Sequence, residues 1–196
     1  MSVRSYVRYR YCHQCQQVKP PRTHHCSICD ACVRRMDHHC PWMGNCIGIL
    51  NHKYFWDFLL WAFLGTLQVT IAILAHKGFL GLGTDTTLMV ACVMSFAFSV
   101  SIGALFAVHS YLIAFNMSTL ESVALNDQNP FRIRDGNWRT RVIANVEMNF
   151  GRDPWWRWLL PLEPKMRLYD GTEVMLEVDG ASGSTMGSDH SADEAV

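Results

Sequence analysis

The sequence predicts an α-helical membrane protein in which two transmembrane helices follow a cytoplasmic, cysteine-rich, metal-bound domain of short β-hairpins. Three observations predict this class. Seven of the eight cysteines lie between Cys12 and Cys46, and two long apolar runs follow them. Sixteen of the 17 Lys and Arg residues lie outside the short segment that joins the two runs. Together these observations divide the chain into a metal-binding part and a membrane part.

The overall composition hides this division. The 196 residues carry 17 basic and 17 acidic side chains, and the mean hydropathy is +0.04. A hydrophobic content of 49% excludes a mostly disordered chain, and the balanced charge argues against a polybasic nucleic-acid binder. Changes in composition along the chain predict a cysteine-rich domain at 1–54, a transmembrane helix at 55–75, a lumenal loop at 76–87, a second transmembrane helix at 88–115, a cytoplasmic segment at 116–170 and an acidic, disordered tail at 171–196.

Each of the two apolar runs is long enough to cross a membrane. The first, Phe55–Ala75, has 21 residues, and a helix of that length spans about 30 Å, the thickness of a bilayer core. The second, Leu88–Phe115, has 28 residues and contains His109 but no Lys, Arg, Asp or Glu. A chain of this length could not cover two helices that are apolar all round, so a buried soluble core is the poorer interpretation.

The distribution of basic residues predicts the orientation. The link His76–Thr87 carries a single basic residue, Lys77. The positive-inside rule therefore places both flanking parts in the cytoplasm and the link on the lumenal side. Cysteines in a reducing compartment serve as metal ligands or reactive thiols, not disulfides.

The cysteine-rich part contains enough ligands for two structural zinc sites. Two-residue gaps, as in Cys12-x-x-Cys15, let a tight turn direct two thiolates at one tetrahedral ion. The candidate ligands are Cys12, Cys15, His25, Cys26, Cys29, Cys32, His39 and Cys46. Six Cys and two His make two closed four-ligand sites, which leave no open position for catalysis. Spacing alone allows a sequential or an interleaved grouping of these ligands.

One cysteine is left over, and its neighbours suggest chemistry. Cys40 ends the segment Asp37-His38-His39-Cys40. In an extended strand His38 and Cys40 share one face, while His39 points to the other. A neighbouring imidazole can withdraw the thiol proton, and a carboxylate can fix that imidazole. Asp37 can reach His38 only through a turn. The alternatives are that Cys40 is a ninth ligand or a spare thiol, and that His38 is a surface histidine.

At this point the sequence resembles a known family, the DHHC protein S-acyltransferases (palmitoyltransferases). The resemblance is carried by the Cys and His spacings above, by Asp37-His38-His39-Cys40-Pro41-Trp42 and by Asn45-Cys46-Ile47-Gly48. After the second apolar run, Ser118-Thr119-Leu120-Glu121 is similar to the family's Thr-Thr-x-Glu motif. Asn145 with Phe150-Gly151 resembles its C-terminal Asn…Phe-Gly element.

The resemblance implies an activity and a role for each site residue. Cys40 would be the acylated nucleophile, His38 the general base and Asp37 its orienting partner. The implied zinc sites are interleaved, with Cys12, Cys15, His25 and Cys32 in one and Cys26, Cys29, His39 and Cys46 in the other. The chain would transfer a long-chain acyl group from acyl-CoA, such as palmitoyl-CoA, to cytoplasmic cysteines of membrane-associated proteins. The family also implies an endomembrane location, in the Golgi or the endoplasmic reticulum.

Two competing functions are considered. Family members carry two further transmembrane helices and an Asp-Pro-Gly motif before the cysteine-rich domain, and neither is found here, which predicts a truncated chain. The alternative function is therefore a catalytically impaired homologue that acts as a membrane-anchored, zinc-binding interaction module. A nucleic-acid zinc finger is excluded, because its helix-borne His pair is absent and apolar helices follow directly.

Outside the cysteine-rich part, four features are predicted to have structural roles and not chemical ones. His109 is read as a neutral, packed histidine, and Trp155, Trp156 and Trp158 as an interfacial aromatic belt. Glu121 and Asn145 are read as scaffold residues that hold the C-terminal segment against the zinc domain.

Overall fold

The computed structural model of the chain describes residues 10–81, 85–123 and 137–164. Within these ranges it contains six short strands followed by five helices. The strands are confined to the cysteine-rich part, and the two longest helices come directly after it. The predicted acidic tail at 171–196 lies outside the described residues, as does part of the predicted loop between the apolar runs.

Three β-hairpins form the cysteine-rich domain, each made of two antiparallel strands of three residues. They are β1 (Arg10–Cys12) with β2 (Gln17–Lys19), β3 (His24–Cys26) with β4 (Ala31–Val33), and β5 (His38–Cys40) with β6 (Asn45–Ile47). Each hairpin has a four-residue loop whose last residue has a positive φ, at Gln16, Asp30 and Gly44. The chain thus uses one loop geometry three times. Isolated two-stranded hairpins of this size are marginal, so strand pairing alone does not hold the domain together.

Little apolar packing supports the hairpins. Cys26, Met36 and Cys46 form one small buried cluster between the second and third hairpins. After β6 the chain passes close to the second hairpin at Gly48, where a Cβ would lie 2.8 Å from the Arg34 carbonyl oxygen. No larger residue fits there without a shift of the backbone. The scarcity of apolar contacts agrees with a domain whose core is supplied by metal ligands.

Two long antiparallel helices, α1 (His52–Gly81) and α2 (Thr86–Ala114), follow the hairpins. Three contacts along their length fix the antiparallel packing: Trp56 Nε1 donates to Ser110 Oγ at 2.9 Å, the Phe63 ring packs on Gly103, and the Thr70 and Ser95 hydroxyls lie 2.9 Å apart. Both are long and apolar enough to cross a membrane: an 18-residue stretch within His52–His76 has a mean hydropathy of 2.1, and one within Thr86–Ala114 has a mean hydropathy of 2.2.

The helix ends differ from the apolar runs: α1 continues six residues beyond the first run, to Gly81, into the segment predicted as a loop, and local hydrogen bonds decide where each helix begins. The α1 helix starts three residues before the first run, where the His52 amide already donates to the Gly48 carbonyl at 2.9 Å. The α2 helix starts before the second run because the Asp85 carboxylate accepts from the Thr87 and Leu88 amides and caps it.

The C-terminal part returns to the end of the helix pair that adjoins the hairpins. It contains α3 (Thr119–Val123), α4 (Trp138–Phe150) and α5 (Trp155–Trp158). Asn145 Nδ2 donates to the Ala114 carbonyl at 2.8 Å and joins α4 to the end of α2. Lys53 Nζ donates to the Leu160 and Leu162 carbonyls at 2.9 and 2.6 Å. The Asn145 contact thus anchors the C-terminal part to α2, whereas the sequence analysis predicted that this residue holds it against the hairpin domain.

Candidate active site and metal centres

The first Cys/His cluster joins the first two hairpins. The ligand atoms of Cys12, Cys15, His25 and Cys32 all lie within 4.8 Å of one another. Cys12 ends β1 and Cys15 lies in the loop after it, while His25 and Cys32 face each other across the second hairpin. Cys15 Sγ lies 3.3 Å from His25 Nδ1. The cluster therefore brings together four of the predicted ligands from two hairpins.

The second cluster joins the second and third hairpins. It contains Cys26, Cys29, His39 and Cys46, again with all ligand atoms within 4.8 Å. His39 Nδ1 lies 3.3 Å from the sulfur of Cys29, 3.6 Å from that of Cys46 and 3.7 Å from that of Cys26. His39 and Cys46 are a cross-strand pair. The two clusters are interleaved along the chain, with hairpin β3–β4 contributing to both.

The donor sets fit zinc. Zinc–sulfur and zinc–imidazole bonds of about 2.0–2.3 Å place the ligand atoms of a tetrahedral site roughly 3.3–3.8 Å apart. The separations from His39 Nδ1 and the 3.5 Å between the sulfurs of Cys29 and Cys46 lie in this range. Three thiolates and one imidazole are also a donor set typical of structural zinc. Each cluster could therefore hold one metal ion.

Cys40 belongs to neither cluster and lies beside His38. The two residues occupy alternate positions of β5 and share one face, while His39 points to the second cluster. Cys40 is buried, and its side chain is near enough to His38 to help raise the pKa of that imidazole. His38 Nδ1 lies 2.7 Å from Asp37 Oδ2, which leaves Nε2 for the thiol. The structure thus brings Asp37, His38 and Cys40 together, with a hydrogen bond between Asp37 and His38 and the thiol on the same face of β5 as His38.

The turn that this contact requires lies just before β5. Asp37 precedes the strand, and its amide donates to the Ile47 carbonyl at 2.8 Å. Because Asp37 is outside the strand, its side chain is free of the alternation that would place it on the His39 face.

The surroundings of Asp37 and His38 favour an ionised Asp37 carboxylate next to a His38 imidazole that this carboxylate holds by a hydrogen bond. Burial opposes ionisation of Asp37, yet hydrogen bonds from His38 and Thr119 hold its pKa well below the usual range. The hydrogen bond to Asp37 raises the pKa of His38, burial opposes this increase, and the interaction with Cys40 adds to it. The histidine is therefore oriented by the carboxylate and presented to the thiol.

Thr119 is a site residue whose contact the sequence does not reveal. Its amide donates to Asp37 Oδ1 and its hydroxyl to Asp37 Oδ2, both at 2.7 Å. A signal for the local fold was present: Ser118 and Glu121 have the spacing of a capping box. The Ser118 amide donates to Glu121 Oε2 at 2.9 Å, and the Glu121 amide donates to Ser118 Oγ at 3.3 Å. This turn directs Thr119 at the carboxylate.

Arg22 joins the hairpin domain to the end of α2. Its Nε and Nη2 both donate to the Glu121 carboxylate at 2.6 Å, and its Nη1 donates to Asn116 Oδ1 at 2.9 Å. Arg35 Nη2 donates to the same Asn116 oxygen at 2.6 Å. Glu121 thus holds the hairpin domain, as predicted, through an arginine that the sequence analysis did not single out. This set of contacts keeps Thr119 beside Asp37.

We expect Arg22→Lys to weaken this junction, because one ammonium cannot replace a fork that contacts both Glu121 oxygens and Asn116. The expected loss is about 2 kcal/mol of unfolding free energy, measured by thermal or denaturant unfolding in detergent. Arg152→Lys is the matched control: Arg152 is 80% exposed and lies 3.3 Å from Glu147, so we expect less than about 0.5 kcal/mol there. Equal losses in the two variants would contradict the assignment.

The fold and the site together place a thiol beside a histidine–aspartate pair, on a hairpin whose Cys and His residues could hold a metal ion, next to two long apolar helices. The chain matches the family model of the DHHC palmitoyltransferases over residues 5–126. It is 38% identical over 164 residues to "Probable protein S-acyltransferase 14" of Arabidopsis thaliana, which covers 79% of this chain and 51% of that protein. It is 37% identical over 166 residues to "Palmitoyltransferase ZDHHC20" of Homo sapiens, which covers 78% and 43%.

These matches show that the chain belongs to the DHHC palmitoyltransferase family, whose members are membrane proteins. The resemblance stated from the sequence motifs is confirmed. The chain spans about half the length of the curated relatives it matches.

Proposed function

We propose that this chain is a protein S-acyltransferase that moves a long-chain acyl group from acyl-CoA to a cysteine of a membrane-associated protein. Cys40 carries the acyl group between the two. The observation that carries the proposal is the hydrogen bond between Asp37 and His38 beside the Cys40 thiol, which shares the His38 face of β5 and lies outside both metal clusters.

The reaction consists of two thioester exchanges. His38 Nε2 takes the proton of the Cys40 thiol, and the thiolate attacks the carbonyl carbon of acyl-CoA. The bond between this carbon and the Cys40 sulfur forms, the bond to the CoA sulfur breaks, and the CoA thiolate leaves with the proton from His38. In the second exchange His38 takes the proton of the substrate thiol, whose sulfur bonds to the acyl carbon while the bond to the Cys40 sulfur breaks, and His38 returns the proton to the Cys40 thiolate. One thioester replaces another in each step, so no energy source is needed.

An apolar surface next to the thiol supports a long-chain acyl donor. Cys40 packs in a buried cluster with Ile47, Phe55 and Leu59, against which Ile102 and Phe106 also pack. Phe55 and Leu59 lie on α1, while Ile102 and Phe106 lie on α2. The apolar side chains thus lead from the thiol to the helix pair. Burial of an acyl chain there contributes about 0.8 kcal/mol per methylene, so chain length gives both affinity and alignment.

We further propose that α1 and α2 cross an endomembrane, with the hairpins and the C-terminal part on the cytoplasmic side. The scarcity of basic residues between the helices supports this orientation. It places Cys40 at the cytoplasmic surface, where acyl-CoA and substrate cysteines meet. The organelle, Golgi or endoplasmic reticulum, is proposed from the family.

The two Cys/His clusters would each hold a structural zinc ion. Zinc supplies crosslinks between hairpins and takes no part in the chemistry, because four protein ligands leave no open position. The ligand residues keep β5 at a fixed distance from the second hairpin through His39. The neighbouring His38 and Cys40 are positioned on the opposite face of the same short strand.

Labelling with alkyne-tagged palmitoyl-CoA tests the proposal. We expect a hydroxylamine-labile label on the wild-type chain that disappears in Cys40→Ser, with two zinc ions per chain in both proteins. Cys92→Ser, which replaces a buried cysteine of α2, is the matched control and keeps the label. Equal label in wild type and Cys40→Ser, or no label on a zinc-loaded wild-type chain, would overturn the enzyme proposal. The second outcome would favour the membrane-anchored zinc module.

A further inference from the structure

A second histidine, His109 of α2, lies against the Asp37–His38 pair. The His109 side chain is 5% exposed, and its ring centroid lies 5.0 Å from that of Phe55, 5.7 Å from that of His38 and 5.8 Å from that of His52. These rings come from α1 and β5, so His109 is enclosed by the helix pair and the third hairpin. Among the residues that the structure describes, His109 forms no hydrogen bond with the Cys40 thiol, and the proposed acyl transfer does not use it.

The imidazole of His109 faces the carboxylate that orients His38. Its Nδ1 lies 3.9 Å from Asp37 Oδ2 and has no hydrogen-bond partner among the described residues. Asp37 is itself buried and accepts hydrogen bonds from Thr119 on one side and from His38 on another. A buried imidazole with an unused nitrogen is unfavourable compared with an apolar side chain of similar size. Packing alone therefore does not account for a histidine at this position.

A third metal site is not the explanation for this cluster, although Asp37, His38 and His109 lie close together. Asp37 Oδ2 and His38 Nδ1 are 2.7 Å apart, which is a hydrogen-bond distance and shorter than the separation of two ligands on one zinc ion. An ion bound there would also occupy the nitrogen through which Asp37 holds His38.

We propose that His109 is a positioning residue of the acyl-transfer site, acting through Asp37 on His38. Its Nδ1, on α2, lies 3.9 Å from Asp37 Oδ2, the same oxygen that accepts from the Thr119 hydroxyl. Its ring packs against the His38 ring and limits rotation of that imidazole away from Cys40. The imidazole of His109 thus keeps Asp37 in a polar contact in addition to Thr119, and the carboxylate keeps its hydrogen bond to His38 Nδ1. This inference rests on the proposed function.

The test compares two substitutions in the full, zinc-loaded chain in detergent. His109→Leu keeps the apolar bulk and removes the N–H group, whereas His109→Asn keeps an N–H donor near the position of Nδ1. His76→Leu is the matched control, because His76 is an exposed histidine of α1. The first readout, the nitrogen-15 imidazole spectrum, follows the His38 Nδ1 proton bonded to Asp37 and needs no activity. The second is the rate of Cys40 alkylation by iodoacetamide, with zinc content and melting temperature measured alongside.

We expect His109→Leu to lose or broaden the His38 Nδ1 proton signal and to slow Cys40 alkylation about tenfold. His109→Asn restores both, and His76→Leu changes neither. An unchanged signal in His109→Leu, or equal losses in the Leu and Asn variants, overturns the proposal. Wild-type Cys40 that reacts no faster than Cys40 in His38→Ala overturns the proposed function instead, and the His38 proton signal still decides the role of His109.

Discussion

Asp37→Asn is expected to slow formation of the acyl-enzyme on Cys40 by about 10³- to 10⁴-fold, the largest effect among substitutions that leave the thiol in place. The carboxylate accepts three hydrogen bonds, from the amide and hydroxyl of Thr119 and from His38 Nδ1. An asparagine amide has only one acceptor oxygen, so its NH₂ group would face another donor. His38 would then change tautomer, its Nε2 would carry the proton, and it could no longer accept the proton of the thiol.

The measurement is a single-turnover rate with saturating palmitoyl-CoA, together with the zinc content of the variant. Asp85→Asn is the matched control, because Asp85 caps the far end of α2 and asparagine caps a helix equally well. Thr119→Val provides a graded comparison, since it removes the hydroxyl donor and keeps the amide donor. A rate for Asp37→Asn within tenfold of wild type would exclude Asp37 as the residue that orients His38.

Cys29→Ser is expected to abolish both zinc binding at the second cluster and acylation of Cys40. Cys29 lies in the loop of the second hairpin, and its sulfur is 3.3 Å from His39 Nδ1 and 3.5 Å from the sulfur of Cys46. Loss of a structural zinc ion forfeits a binding free energy of roughly 10 kcal/mol or more, far above the contribution of one small apolar cluster. The third hairpin would then separate from the second, and the Asp37–His38 geometry would be lost with it.

The check is zinc stoichiometry by mass spectrometry or a chromophoric chelator, in parallel with acyl labelling. We expect one zinc ion per chain instead of two. Cys40→Ser is the matched control within the same domain and keeps both ions while losing the label. Retention of two ions in Cys29→Ser would show that this cysteine is not a ligand.

The linear sequence was sufficient for the features that depend on neighbours in the chain. Two-residue cysteine gaps predicted tight loops, and each of the three loops ends in a residue with positive φ. Apolar runs predicted α2 to within two residues at each end, and they predicted α1, although this helix is 30 residues long and extends past the 21-residue run to Gly81. The alternation of a strand predicted that His38 and Cys40 share a face. These are local properties, for which residue order and backbone geometry are enough.

The contacts that make Asp37 a well-held carboxylate could not be read in the same way. Thr119 is 82 residues from Asp37, and Arg22 is 99 residues from Glu121. No periodicity or spacing within one segment predicts such pairs, because they depend on how the end of α2 meets the hairpin domain. The same limit applies to His109, whose position in an apolar run suggested a packed histidine and gave no hint of Asp37.

The sequence by itself therefore determined the family, the two long apolar helices, the Cys and His residues available as ligands and the thiol left outside them. Spacing left the grouping of the ligands open and the family resemblance implied it, whereas only the tertiary structure decided how Asp37 turns to reach His38 and which distant groups surround that carboxylate. The physical reason is that the number of Cys and His ligands and the presence of an apolar helix depend only on the residues of one segment of the chain. The orientation of a buried carboxylate is a property of every element packed against it, here β5, α2 and α3.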